Sequence, residues 1–185
     1  TQLYIRKRIV SRIHNVRHHL HAFFAFLNHE RKELPNALRP KALDEIGEMA
    51  QIVNENIEKT TQGLTCDKAL VAESLQVIGR AKQGHADSLI ESKGNNPQLN
   101  ELRDSVNELL NLLATGVGKN LNEINRVFES YVSLDFTTEV KDAQGRVDIV
   151  TNTLGKEIRS MLHTSQGFAK ELESKSKDLE EAVTT

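Results

Sequence analysis

The 185-residue chain lacks tryptophan, has only three prolines, and is only 4% aromatic. Its apolar fraction of 38% lies below the roughly 45–50% of ordinary globular domains, which argues against one large hydrophobic core. Its single cysteine, Cys66, excludes an internal disulfide framework and a metal site made of cysteines alone. No apolar run approaches the roughly 18 residues that a membrane-spanning helix needs. These absences exclude a disulfide-rich scaffold and a single large core.

Charge is balanced overall but uneven along the chain. Lysine and arginine (24) nearly match aspartate and glutamate (26), so the total charge gives no case for binding nucleic acid. Residues 1–32, however, hold seven basic residues, five of the seven histidines and one acidic residue, Glu30. This pattern is typical of a segment just cytoplasmic of a membrane span, near anionic lipid. A solvated helix face is the alternative. Because the chain starts at Thr1 without methionine, we expect a segment of a longer protein.

Apolar residues recur at heptad spacing along most of the chain. In the first segment the steps alternate between four and three residues, which is the seam of a helix that packs lengthwise against partners. The residues of that seam are Ile9, Ile13, Val16, Leu20, Phe23 and Leu27. Similar spacing recurs within residues 46–57, 71–78, 99–113, 117–131, 147–161 and 168–182. The pattern predicts an all-α fold of seven helices.

Each predicted helix has only one narrow apolar stripe. An isolated helix of this kind cannot offset the conformational entropy lost on folding, so it needs neighbours. Two helices enclose too small a core, whereas two copies of a two-helix unit close a parallel four-helix bundle. The seams therefore predict a homodimer.

Extended connectors and an internal repeat divide the chain into three units. Connectors are expected over residues 28–43, 84–97 and 134–145, each long enough to lead to a parallel neighbour. An offset of 50 residues aligns Gly84 with Leu134 and Ile90 with Val140. Three asparagines in related settings, Asn54, Asn107 and Asn152, each follow by ten residues an expected helix start at Asp44, Pro97 or Asp142. A period near 50 residues gives three units.

The order of helix, connector and second helix, with Asp44-Glu45-Ile46-Gly47 opening the second helix, resembles the HAMP domain, a signal relay of bacterial membrane receptors. The match is clearest in unit 1, residues 3–62. Unit 2, residues 64–113, has Pro97-Gln98-Leu99-Asn100 in place of the motif, and unit 3, residues 114–162, keeps Asp142 and Gly145. The resemblance implies three parallel four-helix bundles stacked in series, formed by a homodimer.

Residues 163–185 continue as a heptad helix that resembles the start of the coiled coil of a methyl-accepting chemotaxis receptor. The resemblance implies a transmembrane helix and sensor domain upstream, a histidine kinase and adaptor downstream, and a cytoplasmic location beneath an inner membrane. Glu180 and Glu181 resemble part of a methylation motif, although Lys177 departs from it and a solvated pair is the default interpretation.

The implied function is a non-enzymatic relay without cofactor or metal. Its relay residues are the seam residues, the motif and the connector-to-core residues: Ile13, Val16, Leu20, Phe23, Leu43, Asp44, Glu45, Gly47, Leu99 and Phe136. The alternatives are the relay of a sensor histidine kinase or cyclase, and a structural helical-repeat protein.

Patterns of reactive residues give little support to catalysis. Gly116-Val117-Gly118-Lys119 lacks the first glycine and the serine or threonine of a phosphate-binding loop, so it predicts a helix join. His163 is the only phosphoacceptor candidate, and its neighbours do not fit such a site. The spacing of His14, His18 and His21 is compatible with a metal site, but the seam assigns all three to an outward surface.

Overall fold

The computed structural model of the protein describes residues 6–42 and 44–183. A π-helical turn, Arg6–Val10, leads into α1 (Ser11–Leu27). The remaining helices are α2 (Glu45–Lys82), α3 (Pro97–Gly116), α4 (Leu121–Val132) and α5 (Arg146–Val183). Within the described ranges there is no strand, only an isolated bridge between His85 and Asn120. The all-α prediction is therefore confirmed.

The prediction of seven helices was wrong, since five α-helices form in the described part of the chain. Residues 46–57 and 71–78 belong to the single helix α2, and residues 147–161 and 168–182 to α5. Neither junction contains a proline, so the backbone hydrogen bonds of the helix continue through both. A real break occurs instead at 117–120, where the side chain of Asn120 accepts the N–H of Asn122 and caps α4.

Three helices end in the same way. His29, Gly84 and Leu134 lie two residues beyond the ends of α1, α2 and α4, and all have positive φ, at 62°, 90° and 63°. At each end the next amide bonds a carbonyl five residues back, as in the 3.0 Å bond from His85 N–H to Arg80. These are Schellman-type caps, in which the reversed residue turns the chain into the following connector.

Contacts show that the helices of the first and the last pair run parallel. Arg12, near the start of α1, pairs with Asp44, just before α2, whereas Phe26 and Leu64, further along both helices, line one small cavity. In the last pair, Gly145 lies against Val117, and Tyr131 lies over Gly155. Starts meet starts and ends meet ends, as a long connector allows.

The described residues form two compact units with small cores. One extends to Ala69 and includes Gly94–Asn96; Val16, Phe23, Ala50 and Ile57 are buried there. The other comprises Leu70–Lys93 and the chain from Pro97 onwards. It has two clusters: Leu70, Val77, Ile90 and Leu110 in one, and Ile124, Val127 and Val140 in the other.

A single chain leaves much of its heptad seam uncovered. Leu75, Leu102 and Leu109 are 67%, 60% and 57% exposed. Along α5, residues 161–183 are all exposed, and Phe168, Leu172 and Leu179 are 63–70% accessible. None of the helices in the described ranges combines the length and apolar character needed to cross a membrane.

Candidate functional site

Three asparagines bind the three connectors to the helices that follow them. The side-chain oxygen of Asn54 accepts the N–H of Leu38, and its amide donates to the Leu38 carbonyl, at 2.9 and 2.8 Å. Asn107 makes the same pair of bonds to Ile90, at 2.8 and 2.9 Å. Asn152 repeats them with Val140, also at 2.8 and 2.9 Å. We call these three pairs the asparagine clamps.

A clamp fixes the extended backbone as a neighbouring strand would. The amide of asparagine has one acceptor and two donors in the geometry of a peptide group, so it satisfies both polar groups of one connector residue. Ile90 and Val140 place their side chains in the cores, at 3% and 5% exposure. The clamps on Ile90 and Val140 therefore couple the position of a connector to the packing of a core, whereas Leu38 of the first connector is only partly buried.

In the first unit the start of α2 carries an ion pair. Both oxygens of the Asp44 carboxylate accept from the Arg12 guanidinium, and Oδ1 also accepts the N–H of Gly47 at 3.0 Å. The Arg12 hydrogen bonds, followed by the Gly47 amide, hold the pKa of Asp44 well below its usual range. Asp44 thus caps α2 and ties its start to α1.

Gly47 is buried because the end of the first connector crosses it. A Cβ at this position would lie 1.9 Å from the carbonyl oxygen of Ala42. Only glycine permits this approach, since no real Cβ contact is so short. Glu45, the first residue of α2, is exposed, and Leu43 lies outside the described residues.

The predicted seam of α1 divides between two faces. Val16 and Phe23 are buried at 5% and 6%, and Leu20 is half-buried. Ile13 is 48% exposed and joins no buried cluster within the described chain. One side of the seam therefore packs into the core of unit 1, and the other side, which includes Ile13, is exposed.

Leu99 and Phe136 both contact cores of the second compact unit or their edges. Leu99 packs against the cluster around Leu110. Phe136 is half-buried with its ring 5.3 Å from that of Tyr131, and its carbonyl accepts from Arg159. Phe136 thus links the third connector to both α4 and α5.

The second connector is held by carboxylates as well as by its clamp. Glu73 accepts the N–H groups of Glu91 and Ser92 at 3.0 and 2.7 Å. The Ser92 hydroxyl and then these amides lower the pKa of Glu73. Asp67 similarly accepts the N–H groups of Asn95 and Asn96 at 2.7 and 2.9 Å. Anionic acceptors of backbone N–H groups form strong hydrogen bonds, which fix this connector along its length.

The third unit departs from the predicted pattern at its second helix. The expectation that Asp142 starts this helix was wrong, because α5 begins at Arg146 and Asp142 has a φ of 50° in the connector. Asp148 instead accepts the N–H of Gly145 at 3.1 Å and so caps the helix from within its first turn. In this unit Val140 precedes the asparagine that clamps it by 12 positions. In the other two units Leu38 and Ile90 precede their asparagines by 16 and 17 positions.

Sequence reasoning missed several residues that hold the units together. Arg12 was grouped with the basic segment, although its spacing from Asp44 carries no local signal. The roles of Asp67 and Glu73 depend on a connector that folds back on them, which no periodicity reports. The asparagine clamps had a signal, since the three residues were aligned by the repeat.

The residues that could take part in chemistry do not come together into one site within the described part of the chain. His14, His18 and His21 are exposed on α1, and the described residues contain no cluster of three or more His, Cys, Asp or Glu side chains suited to a metal. Gly116 ends α3, and Gly118, packed against Asp148, lies in the helix break at 117–120. Glu180 and Glu181 are exposed on α5.

Comparison of the chain with models of known families, with curated proteins and with solved structures gives no significant match.

Proposed function

We propose that the chain is a signal relay of the HAMP kind, built from three units that each join two parallel helices through a clamped connector. The observation that carries the proposal is the repeated set of reversed helix cap, extended connector and asparagine clamp. The set occurs at His29 to Asn54, Gly84 to Asn107 and Leu134 to Asn152. Because the clamp holds the connector against the second helix, a displacement of the first helix is transmitted to its parallel partner.

The working form is a homodimer in which two chains close each unit into a parallel four-helix bundle. Supporting this, Ile13, Leu102 and Leu109 are about half or more exposed on one chain, although all belong to heptad seams. Fully burying one such side chain contributes roughly 1.5–3 kcal/mol, so a second copy in register supplies substantial stability. The exposed stripe of α5 extends the same dimer as a coiled coil.

Signalling in this proposal is a shift between two packings of the same cores. A relay needs its two states to differ by only a few kcal/mol, because an input moves the balance only by its differential affinity. The connectors set that balance, since their buried residues belong to the cores and their clamps belong to the helices. Asp44, Glu45, Gly47, Leu99 and Phe136 are the positions at which small changes bias the output.

We place the relay in a transmembrane chemoreceptor. The basic first segment suits the inner, anionic face of a membrane below a sensor domain, and α5 suits the start of a kinase-control coiled coil. A histidine kinase and adaptor are the partners downstream, and Glu180 and Glu181 are candidates for methylation. A sensor histidine kinase or a cyclase is the alternative output of the same relay.

The test is a chimeric receptor with this chain between a sensor and a kinase-control coiled coil, read out by kinase activity. Glu45→Ala and Phe136→Ala should change the ratio of kinase activity with and without stimulus, while the dimer remains intact by crosslinking. Gln76→Ala, a change at an exposed position of α2, is the control. Unchanged signalling in both variants contradicts the relay.

The structural-repeat alternative predicts different behaviour in the same chimera. Three-helix repeats of the spectrin kind need antiparallel helices with short loops, whereas the paired helices here are parallel and joined by long connectors. A purely structural spacer would hold the two ends apart without passing the stimulus. Loss of stimulus response with a wild-type chain therefore favours that alternative.

A further inference from the structure

An apolar cavity of about 690 Å³ lies between the first connector and residues 54–66 of α2. Its size falls within the roughly 300–1,000 Å³ of ordinary small-molecule pockets. One wall comes from the connector and the other from α2, with one histidine of α1 between them. The residues that line it include His19, Leu34, Pro35, Ile57, Thr61 and Cys66.

His19 is the anomaly of this cavity. It is only 8% exposed, and its Nε2 is buried without a hydrogen-bond partner among the described residues. His19 lies ten residues before the reversed cap at His29. The residue at the same distance before the reversed cap at Leu134 is Ile124, an apolar core residue of the third unit that is 4% exposed. A buried polar atom left unsatisfied costs roughly 1–3 kcal/mol, so this position calls for a partner.

Two other polar side chains that line the cavity already have partners. Asn54 is occupied by its clamp on Leu38, and the Thr61 hydroxyl donates to the carbonyl of Ile57 at 2.7 Å. Burial, followed by the charge of His18, lowers the pKa of His19, which favours a neutral ring. The neutral ring either donates or accepts at Nε2, depending on its tautomer, and a hydroxyl group satisfies both cases.

The cavity faces away from the uncovered seam. At 100° per residue, Asn54, Thr61 and Thr65 share one side of α2, and the exposed Met49 lies roughly 140° from it. On α1, Ile13 lies roughly 120° from His19 by the same geometry. The cavity is therefore formed within one chain, on a face that a second copy packed along the seam does not cover.

We propose that this cavity binds an uncharged, mainly apolar small molecule whose single hydroxyl group bonds Nε2 of His19. Leu34, Pro35 and Ile57 provide apolar contact, and Glu58 at the rim disfavours anions. Such a ligand bridges the connector and α2 at the point where the first clamp joins them. The proposal does not rest on the relay function, because it concerns the fold of one chain.

The probe for this test is 1-naphthol, with naphthalene as the analogue that lacks the hydroxyl. Titration of the intact chain, followed by NMR of ¹⁵N-labelled histidine, should show one saturable site per chain with the largest change at His19. Naphthol should bind about fivefold to tenfold more tightly than naphthalene, and His19→Leu should abolish that preference while keeping apolar binding.

Filling the cavity provides the second arm. Thr61→Trp should weaken naphthol binding at least about tenfold, whereas Lys59→Trp, on the exposed opposite part of the same helix, should leave it unchanged. Independently of any variant, saturating naphthol should slow the reaction of the exposed Cys66 thiol with N-ethylmaleimide, since Cys66 lines the cavity.

Three results would each overturn the proposal: no saturable binding, equal affinity for the two probes, or no protection of Cys66. A fourth would assign the cavity to a second copy of the chain. In that case the Cys66 reaction would slow as protein concentration rises, with no effect of naphthol.

Discussion

The side chain of Asn107 brackets a single residue of the second connector, accepting the N–H of Ile90 at 2.8 Å and donating to its carbonyl at 2.9 Å. Ile90 in turn is 3% exposed and belongs to the core cluster with Leu70 and Leu110. The Asn107 side chain thus fixes the point at which this extended segment enters a helical core, while Glu73 and Asp67 hold the residues that follow. The same arrangement recurs at Asn54 and Asn152.

Removing this clamp should loosen the second connector. Asn107→Ala leaves a part-buried backbone N–H and carbonyl without their partner, so we expect a loss of about 1–3 kcal/mol in the free energy of unfolding. Urea denaturation measures it. Asn111→Ala, at an exposed position one turn further along the same helix, is the matched control, and equal effects of the two changes would count against the clamp.

The reversed caps predict a stabilising substitution. Leu134 has a φ of 63° and is 80% exposed, so glycine relieves the left-handed strain and sacrifices little packing. Leu134→Gly should raise stability by about 0.5–1 kcal/mol in thermal denaturation. Glu129→Gly, at an exposed position inside α4, should lower it by a similar amount. A destabilising Leu134→Gly would refute the cap.

The motif glycine should tolerate no side chain. Gly47→Ala forces a Cβ against the Ala42 carbonyl, so the end of the first connector must move, and we expect a loss of about 1–3 kcal/mol. Gly167→Ala is the control, because a Cβ there meets nothing within 4 Å and alanine favours the helix. Comparing the two unfolding free energies separates the close approach from helix propensity. If both substitutions stabilise, the crossing at Gly47 is not made.

The second connector should lose its hydrogen bonds to Glu73 at acidic pH. The pKa of Glu73 is lowered from 4.5 in the folded chain, so its contribution to stability is present above pH 4.5 and is lost as pH falls through the lower folded value. Glu73→Gln should therefore flatten the decline of unfolding free energy below about pH 4.5. Gln76→Ala, at an exposed position of α2 without a titratable group, should leave the decline as steep as in the wild type, and identical profiles for all three proteins would exclude the linkage.

The helices and the repeat could be predicted because both follow from the spacing of residues along the sequence. The heptad seams locate every helix, and the 50-residue offset aligns Gly84 with Leu134, which share a reversed backbone. The length of α2 could not be predicted in the same way. Two short apolar patterns separated by a polar stretch do not say whether the backbone between them breaks.

Long-range contacts explain the remaining errors. Asp142 fits a helix start by composition, but Asp148 caps the helix from inside, next to the buried Gly145. The pairing of Arg12 with Asp44 spans 32 residues, and its partners become neighbours only once the parallel pair has formed. His19 carries no signal, because a histidine outside the seam is ordinarily on the surface.

The proposed relay requires that the uncovered seams close against a second copy, parallel and in register. Inter-spin distances can be measured by double electron–electron resonance. Cys66 is replaced by serine, and a spin label is attached to a cysteine introduced at His14, Gln76 or Asn125 in turn. The account predicts one short, narrow distance at each of the three positions. Long, broad or absent couplings would contradict it, because they would mean that the chains pack antiparallel or do not associate.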